Sequence, residues 1–438
     1  MKKYFTISFF CLLFAISTNA QETENQQESG IVQQALDIII GDWIPLGNRE
    51  TNRFDYGRIQ TTPSINHLEG FRLRAGVASN TRLHPNFFVR GYVAYGFRDE
   101  RFKYRGEAAW AFNRPVYHEN EFPRNLLRVI HENDIFSFGE MNARATHDRL
   151  LLTYVNSHNA MTYRTFTEIH YEKETLSGFA FMAWARRSEI TSAPFTTNLV
   201  VGEPPLFLFP GHLITSDVGI SLRYAFDENY EQYRRRRRTA SPRSPVLFLT
   251  HTVGIDGFLG SQVGYHRTQF SAQKRFPLGS IGRLDVVSEA IRVWNAVPFP
   301  LLAYNNQNIV HNIESPRFFL NHATEFMADE LYTARFTFVG DNLLFSRIPF
   351  VGDRLRIREL LAVRASYGRL SERNQQSMFA FPPYWRKYGN RPFVEGSIGL
   401  TNILGLLRIE YVHRFTYRET EHLHPLGKLG MIRVDVTL

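Results

Sequence analysis

Phe-Phe-Val-Arg-Gly-Tyr-Val-Ala-Tyr-Gly-Phe-Arg-Asp-Glu-Arg-Phe-Lys-Tyr-Arg-Gly-Glu-Ala-Ala-Trp-Ala-Phe, residues 87–112, is the stretch that decides the fold. In its later half, apolar residues alternate with charged ones. Because side chains alternate between the two faces of a strand, this pattern predicts a strand with one apolar and one charged face. The earlier half alternates in the same way, and the halves meet at Arg98-Asp99-Glu100. Each half is about ten residues long, which suits a tilted strand that crosses a bilayer. A soluble hairpin would also alternate, but it is less often this long and this aromatic.

The same alternation recurs from Leu68 to the end of the chain. Clear segments lie at 71–77, 161–171, 214–226, 284–294, 332–338, 361–367, 407–417 and 432–438, and a less clean one lies at 179–190. Weaker ones lie at 124–132, 149–157, 245–254, 260–275 and 392–401. Together they predict an all-β fold, a transmembrane antiparallel up-and-down β-barrel of about 16 strands. On this alternation we expect Tyr104, Phe336 and Ile409 to face lipid.

The first 20 residues have the pattern of a cleaved secretory signal, with a basic start, a short apolar run and a small polar end at Ala20. Cys11, the only cysteine, lies in that run, so the mature chain is expected to have no disulfide and no cysteine-ligated metal. Residues 21–64 are interpreted as a short N-terminal periplasmic segment, and 65–438 as the barrel. Within the former, 31–40 fits a helix, a strand or a segment packed on the barrel, and 41–64 is expected to be a loop.

The composition limits the kinds of partner that the protein could bind. Aromatic residues make up 14% of the chain, and the net charge is +9. In a cytosolic protein, such a positive charge could indicate binding to nucleic acid, but an exported protein does not meet nucleic acid in this way. Arginines that face a lumen, anionic lipid headgroups or anionic solutes explain the charge better. We expect location in the cell outer membrane, with its lipids, an anionic solute and another outer-membrane protein as candidate partners. No cofactor and no metal are expected, and the sequence does not specify an oligomeric state.

The lengths of the predicted links suggest a topology. If the first strand leaves the periplasm, the short links 98–100, 174–177, 276–279 and 402–404 lie in the periplasm, whereas the long links 191–213, 295–324 and 371–391 lie outside. Two longer links also fall on the periplasmic side. One holds the run Arg234 to Arg238, which we expect to be a solvated loop. The other, 340–356, could lie against lipid headgroups.

Several stretches, in this order, resemble one family. They are Asn66 to Arg72, Gly91 to Gly96, Phe102 to Tyr104, Pro300 to Leu302, Glu325 to Asp329, Ser346 to Pro349, Leu355 to Leu360 and Phe393 to Ile403. The set is similar to the outer-membrane barrel of a family of unknown function. Full-length members of that family carry an N-terminal carboxypeptidase-regulatory-like domain. The resemblance covers residues 60–438 and implies a fold and a membrane, not an activity. Residues 21–64 leave no room for that domain, which is expected to be absent here.

A second resemblance is local. Val89-Arg90-Gly91-Tyr92 is similar to a motif of the Omp85-type assembly and translocation barrels, where it lies in a late loop rather than in an early strand. An assembly or translocation role is therefore kept as an alternative.

Catalytic patterns are weak. His131-Glu132, His147-Asp148 and His251 offer bases, but none has the spacing of a catalytic motif, so we expect no enzyme activity.

The inward charges carry the functional expectation. If cations outnumber close acidic partners, the lumen should be wet and favour anionic solutes, as in a channel or transport barrel. If they are paired across strands, they brace a structural or partner-scaffolding barrel. The candidate lumen-lining residues are Arg72, Arg74, Arg90, Lys103, Arg105, Glu107, Arg283, Asp285, Glu289, Arg335, Arg408, Glu410 and Arg414.

Overall fold

The computed structural model describes a protein dominated by one large antiparallel sheet of 18 strands, with three two-stranded sheets beside it. The described residues are 43–66, 68–137, 161–195, 206–207, 211–226, 228, 230–233, 235–239, 244–305, 318–321, 325–341, 343, 345, 348, 357–375, 381, 385–403, 407–419 and 429–436. No helix in these ranges is long and apolar enough to cross a membrane. The sheets dominate the described residues, so the fold is all-β, as the alternation predicts.

The strands fall into two groups. The large sheet contains β1 (Trp43–Pro45), β2 (Phe54–Gly57), β3 (Pro63–Asn66), β4 (Gly70–Ser79), β5 (Phe87–Gly96), β6 (Arg101–Ala111), β7 (Asn125–Ser137), β8 (Met161–Glu174), β9 (Phe179–Thr191), β12 (His212–Ala225), β15 (Val246–Gly254), β16 (Tyr265–Pro277), β17 (Gly282–Val293), β20 (Glu330–Gly340), β21 (Arg358–Arg369), β22 (Phe393–Ile403), β23 (Leu407–Arg414) and β24 (Gly430–Val436). The small sheets pair β10 (Pro194–Phe195) with β11 (Leu206–Phe207), β13 (Tyr230–Tyr233) with β14 (Arg236–Thr239), and β18 (Ala303–Tyr304) with β19 (Met327–Ala328).

Helical elements are short. One α-helical turn, α1, covers Glu372–Gln375. The 3₁₀ turns are Ile59–Thr61, Phe258–Gly260, Gly279–Ile281 and Phe299–Leu301. They lie in the links between strands.

Each long strand pairs with its neighbours in chain order, from β4 through to β24. The same edge of β4 pairs with β2 at one end and with β3 at the other, so these two act as one interrupted strand. With β2 and β3 counted once and the short β1 set aside, sixteen strands lie side by side. In the described part of the chain, no ladder joins β24 to β2 or β3.

Residues 41–64 are not the loop that their Pro and Gly content suggests. The described part of this segment contains β1, β2 and the start of β3. Pro45 ends β1 and Pro63 begins β3. Because proline lacks an N–H, it is tolerated at a strand terminus and limits the length of the strand without preventing it. This segment completes the sheet at the β4 edge.

The predicted strand at 149–157 lies outside the described residues. β7 pairs directly with β8, from Asn125 opposite Lys173 to Ser137 opposite Met161.

Because β7 and β8 are neighbours, the link 97–100 leaves the sheet at the same end as the long links 192–211, 294–329 and 370–392. The short links 175–178, 278–281 and 404–406 leave at the opposite end. The prediction that Arg98 to Glu100 lies at the same end of the sheet as the other short links was therefore wrong.

The two faces of the sheet differ as the alternation predicts. Tyr104, Phe336 and Ile409 expose 42%, 44% and 40% of their surface on the apolar face. Many other large apolar side chains on this outer face are exposed as well, including Phe102, Ile398 and Ile432. Ion-paired side chains fill the opposite, inner face, and the long-link end holds the largest buried apolar cluster. An exposed apolar face of this extent marks contact with another apolar medium or partner.

Candidate functional site: the charged inner face and its two covers

The inner face near the long-link end carries a dense group of buried charges. Arg72 donates to both carboxylate oxygens of Asp134 at 2.6 and 2.8 Å, and it contacts Glu69 at 3.1 Å. Lys103 contacts Glu69 at 2.8 Å and Asp99 at 2.6 Å. Both predicted cations therefore have close acidic partners, and these pairs join β4 and β6 to β7 and to the links at 67–69 and 97–100.

A second group lies on β5, β6 and β7. Arg105 contacts Glu107 and Glu132 at 2.5 Å each, and Arg90 contacts Glu107 at 2.8 Å. Arg128 lies 3.7 Å from Glu107. Arg90, the arginine of the Val-Arg-Gly-Tyr stretch, is thus engaged in a cross-strand pair of the wall.

The third group is centred on Glu410, which is almost fully buried. Arg408 and Arg433 each donate to it at 2.9 Å, and Arg364 does so at 3.5 Å. Three guanidinium groups therefore share this one carboxylate and hold β21, β23 and β24 together from the inside.

Two further predicted cations lie near the short-link end. Asp285 accepts from Arg275 at 2.5 and 2.9 Å, and Arg283 lies 3.8 Å from the same carboxylate. Arg335 stands directly opposite Arg364 in the β20–β21 ladder.

The last two predicted residues make neutral contacts. Arg74 donates to the Thr61 hydroxyl at 2.6 Å, and its guanidinium lies 3.9 Å from the centroid of the Tyr92 ring. Glu289 accepts a hydrogen bond from the Gln269 amide. All thirteen predicted residues lie on strands of the large sheet with their side chains on its inner face, but they form several separate groups rather than one site.

The sequence reasoning missed most of the acids that pair these cations. Glu69, Glu132, Asp134 and Glu325 are all buried and ion-paired. Glu132 and Asp134 lie on β7, whose alternation is weak, and Glu69 and Glu325 lie in links. The surplus of cations counted from the clear strands is therefore much smaller in the folded protein.

The long-link end is covered by apolar side chains from the link between β17 and β20. We define the cap as Val297, Phe299, Leu301, Leu302, Tyr304 and Met327, all buried. The cap packs against inward residues at the ends of several strands, among them Phe136, Ile190 and Leu213. Since these strands lie on different parts of the sheet, the cap spans the space between them.

The same link penetrates further along the inner face. The backbone N–H groups of Phe319 and Leu320 donate to Glu395 at 2.9–3.1 Å. Arg414 forms a bidentate pair with Glu325, at 3.0 and 2.6 Å. The Phe319 ring lies 4.4 Å from the guanidinium of Arg364. Arg414 therefore holds the link inside rather than facing open solvent.

The short-link end has a second cover. We define the latch as the hairpin β13–β14 with Arg235 at its turn, together with Asp55 on β2. Arg235 donates to Asp55 at 2.5 Å, and the two side chains expose 4% and 0%. Arg235 also lies 5.1 Å from the Trp43 ring. The hairpin belongs to the link between β12 and β15, which are the eighth and ninth strands of the row of sixteen that begins with β2. The contact therefore requires a strongly curved sheet, and Arg235 is not part of a solvated loop as the arginine run suggested.

Buried ionisable groups surround the latch. Asn52 and Tyr117 also donate to Asp55, at 2.8 and 2.9 Å. Burial lowers the pKa of His118 to about 4, and nearby Arg235 acts in the same direction against Glu119. Burial would raise the pKa of Glu119, but Arg235 and Arg128 outweigh it, so that pKa is lowered. His118 is thus neutral and Glu119 ionised around this contact at neutral pH.

The described candidate bases contact hydroxyl groups on neighbouring strands. His131 contacts the Thr167 hydroxyl at 2.8 Å, whereas Glu132 points to the inner face and pairs with Arg105. His251 contacts the Thr268 hydroxyl at 2.9 Å. His147 and Asp148 lie outside the described residues.

The fold is similar to BamA from Haemophilus ducreyi lacking POTRA domains 1–3, with a TM-score of 0.45 and 8% identity over 88% of this chain and 70% of that chain. It is also similar to CdiB from Acinetobacter baumannii, with a TM-score of 0.44 and 11% identity over 85% of this chain and 58% of that chain. No curated protein matches the sequence.

A family model does match more than half of the chain. It covers residues 36–296 and is described as the C-terminal domain of a family of unknown function, DUF5686. The match begins ahead of β1 and ends just after β17, so it includes the interrupted first strand that sequence alternation missed. The protein therefore belongs to the DUF5686 family, through the C-terminal domain of that family.

Proposed function

We propose that the protein is an integral outer-membrane β-barrel that is closed at rest and acts as a structural or partner-binding scaffold, not as an enzyme and not as a standing anion channel. The observation that carries this proposal is the pair of covers. The cap lies over the inner face at one end, and the latch crosses it at the other.

The membrane part of the proposal is supported by the outer face. Exposed aromatic and aliphatic side chains recur along nearly every long strand, while their neighbours on the inner face are ion-paired. In a membrane, backbone groups must be hydrogen-bonded within the protein, which a closed sheet achieves and an open one does not. The contact between Arg235 and Asp55, across half of the strand row, supports a sheet curved toward closure.

The closed state is supported by the charge pairing. An anion-favouring pore requires cations that face water without close acids. Here Arg72, Lys103, Arg105 and Arg408 all contact carboxylates at 3.1 Å or less. Pairs of this kind brace the wall, and the expected channel would need at least one cover to move.

Planar-bilayer recording of the purified protein tests the proposal. The native chain should give no steady current. Replacing 296–328 by a short Gly-Ser link should create channels, because β17 and β20 remain paired while the cap is lost. Leu259→Ser, an exposed change at the same end, is the matched control and should stay silent. Steady currents from the native chain that pass chloride better than potassium would instead restore the anion-channel hypothesis.

Export is a separate part of the proposal. Material from outer membranes should begin at Gln21 when its N-terminus is sequenced, because the pattern at Ala20 fits signal cleavage. A retained Met1 would contradict it.

A further inference from the structure

Most neighbouring opposite charges on the inner face touch one another. Arg72 and Asp134 are 2.6 Å apart, and so are Arg414 and Glu325. Arg267 on β16 does not follow this pattern. Its electrostatic neighbours include Glu289 on β17, yet no ion pair within 4 Å joins the two side chains. Each exposes only 6% of its surface.

Both side chains have buried polar atoms that no described residue satisfies. Arg267 Nη2 has no hydrogen-bond partner, and neither has Glu289 Oε2, although Gln269 donates to Glu289. The hydroxyl of Thr333, directly opposite Glu289 in the β17–β20 ladder, is also buried without a partner. Each such group costs about 1–3 kcal/mol when it is left dry. Glu289 and Thr333 stand opposite each other, and Arg267 lies on the next strand, opposite Val293 and four residues along β17 from Glu289. A polar species between these groups would satisfy them.

The surroundings show where this space lies. Tyr265 and Tyr304 are the other favourable electrostatic neighbours of Arg267, and both belong to the apolar cluster that includes the cap. Asn305, the residue after Tyr304, has a buried amide nitrogen without a partner. The unsatisfied donor of Arg267 therefore lies beside the cluster that contains the cap.

We propose that Arg267, Glu289 and Thr333 line a binding site for a small zwitterion with one carboxylate and one ammonium group, the chemistry of a free amino acid. The Arg267 guanidinium binds the carboxylate, and Glu289 Oε2 accepts from the ammonium, both as charge-assisted hydrogen bonds. The gap between the two side chains is what allows one molecule to bridge them. This site goes beyond the proposed scaffold function, because its groups are in place whether or not the barrel conducts.

Isothermal titration of the purified protein in detergent micelles tests the site, with glycine, acetate and methylammonium as probes. Glycine should bind, and each single-charge probe should bind at least about tenfold more weakly, since each loses one charged contact worth about 1.4 kcal/mol or more. Arg267→Gln and Glu289→Gln should each weaken glycine binding by a similar factor. Arg408→Gln, a change on the same inner face in another ion-pair group, is the matched control and should bind like the native chain.

Two outcomes overturn the proposal. Absence of heat with all three probes would mean that water alone fills the gap. Acetate binding as tight as glycine and unaffected by Glu289→Gln would reduce the site to an anion site without a role for the carboxylate. Thr333→Val removes a neutral hydroxyl, so it tests the site even if the charge variants fail to fold, and it should also weaken glycine binding. These outcomes are independent of the bilayer currents that test the closed scaffold.

Discussion

Replacing Arg235 by Met should release the latch while leaving the wall strands unchanged. Arg235 lies at the turn of a hairpin outside the large sheet, and it donates to Asp55 on β2 and to the carbonyl oxygens of Ala78 and Ser79 on β4. The substitution removes the charge but keeps an apolar stem beside Trp43. The affected contact is therefore the one that joins two opposite parts of the strand row.

The size of the effect follows from burial and from the remaining partners. With side chains exposed by 4% and 0%, solvent screening of this pair is small. Removing one partner of a buried ion pair costs about 3–5 kcal/mol, because the other charge stays buried. Asp55 keeps donors from Asn52 and Tyr117, so we expect the lower part of that range, about 3 kcal/mol.

A double-mutant cycle measures this quantity. Arg235→Met, Asp55→Asn and the double variant would be unfolded with urea in lipid vesicles and followed by tryptophan fluorescence, to which Trp43 contributes. The double variant removes both charges of this pair, so it should be more stable than the sum of the single effects predicts, by about 2–3 kcal/mol.

The reasoning is refuted if the single effects simply add to within about 0.5 kcal/mol, the range expected for independent sites. Arg292→Met is the control, because Arg292 pairs with Glu330 at 2.8 Å but exposes 47% of its side chain. Such an exposed pair should contribute about 0–1 kcal/mol.

Three other predictions concern the membrane, pH and topology. Ile409→Arg should cost roughly 2–4 kcal/mol in vesicle unfolding, because it places a charge on the lipid face. Arg408→Gln should cost less, because Glu410 keeps two other arginines, and equal costs would mean that the faces are assigned wrongly. Because the pKa of His118 is about 4 when folded and near 6.5 when unfolded, the unfolded chain binds more protons between these values. Stability should therefore fall as pH drops from about 6.5 toward 4, by up to about 1.4 kcal/mol per unit, and His118→Gln should flatten the slope. Single cysteines at 98 and 176 should label from opposite sides of the membrane, and labelling of both from one side would contradict the strand order.

The alternation of apolar and polar residues predicts most of the strands and the face on which their side chains lie. It assigns Tyr104, Phe336 and Ile409 to the exposed face because a two-residue period is a property of each strand by itself. It does not give the order of strands where a segment is short or broken by proline. The count of about sixteen agrees with the sixteen strands that lie side by side in the structure, although the prediction did not include the interrupted β2–β3 strand.

The pairing of inner charges could be predicted only in part. Partners on neighbouring strands, such as Arg90 and Glu107, follow once the register is known. Partners from links, such as Glu325 for Arg414, do not, because no period places a link residue. The cap and the latch were missed for the same reason, since both are built from links.

The latch also bears on the order in which the molecule folds. Nearly all ladders of the large sheet join strands that are neighbours in the chain, so the wall grows through local contacts with small loop-closure costs. Arg235 and Asp55, by contrast, are 180 residues apart. Their contact forms only after the intervening strands have paired and curved. It is therefore a late event in folding, and until then the carboxylate of Asp55 and the arginine hairpin remain accessible to chaperones and proteases.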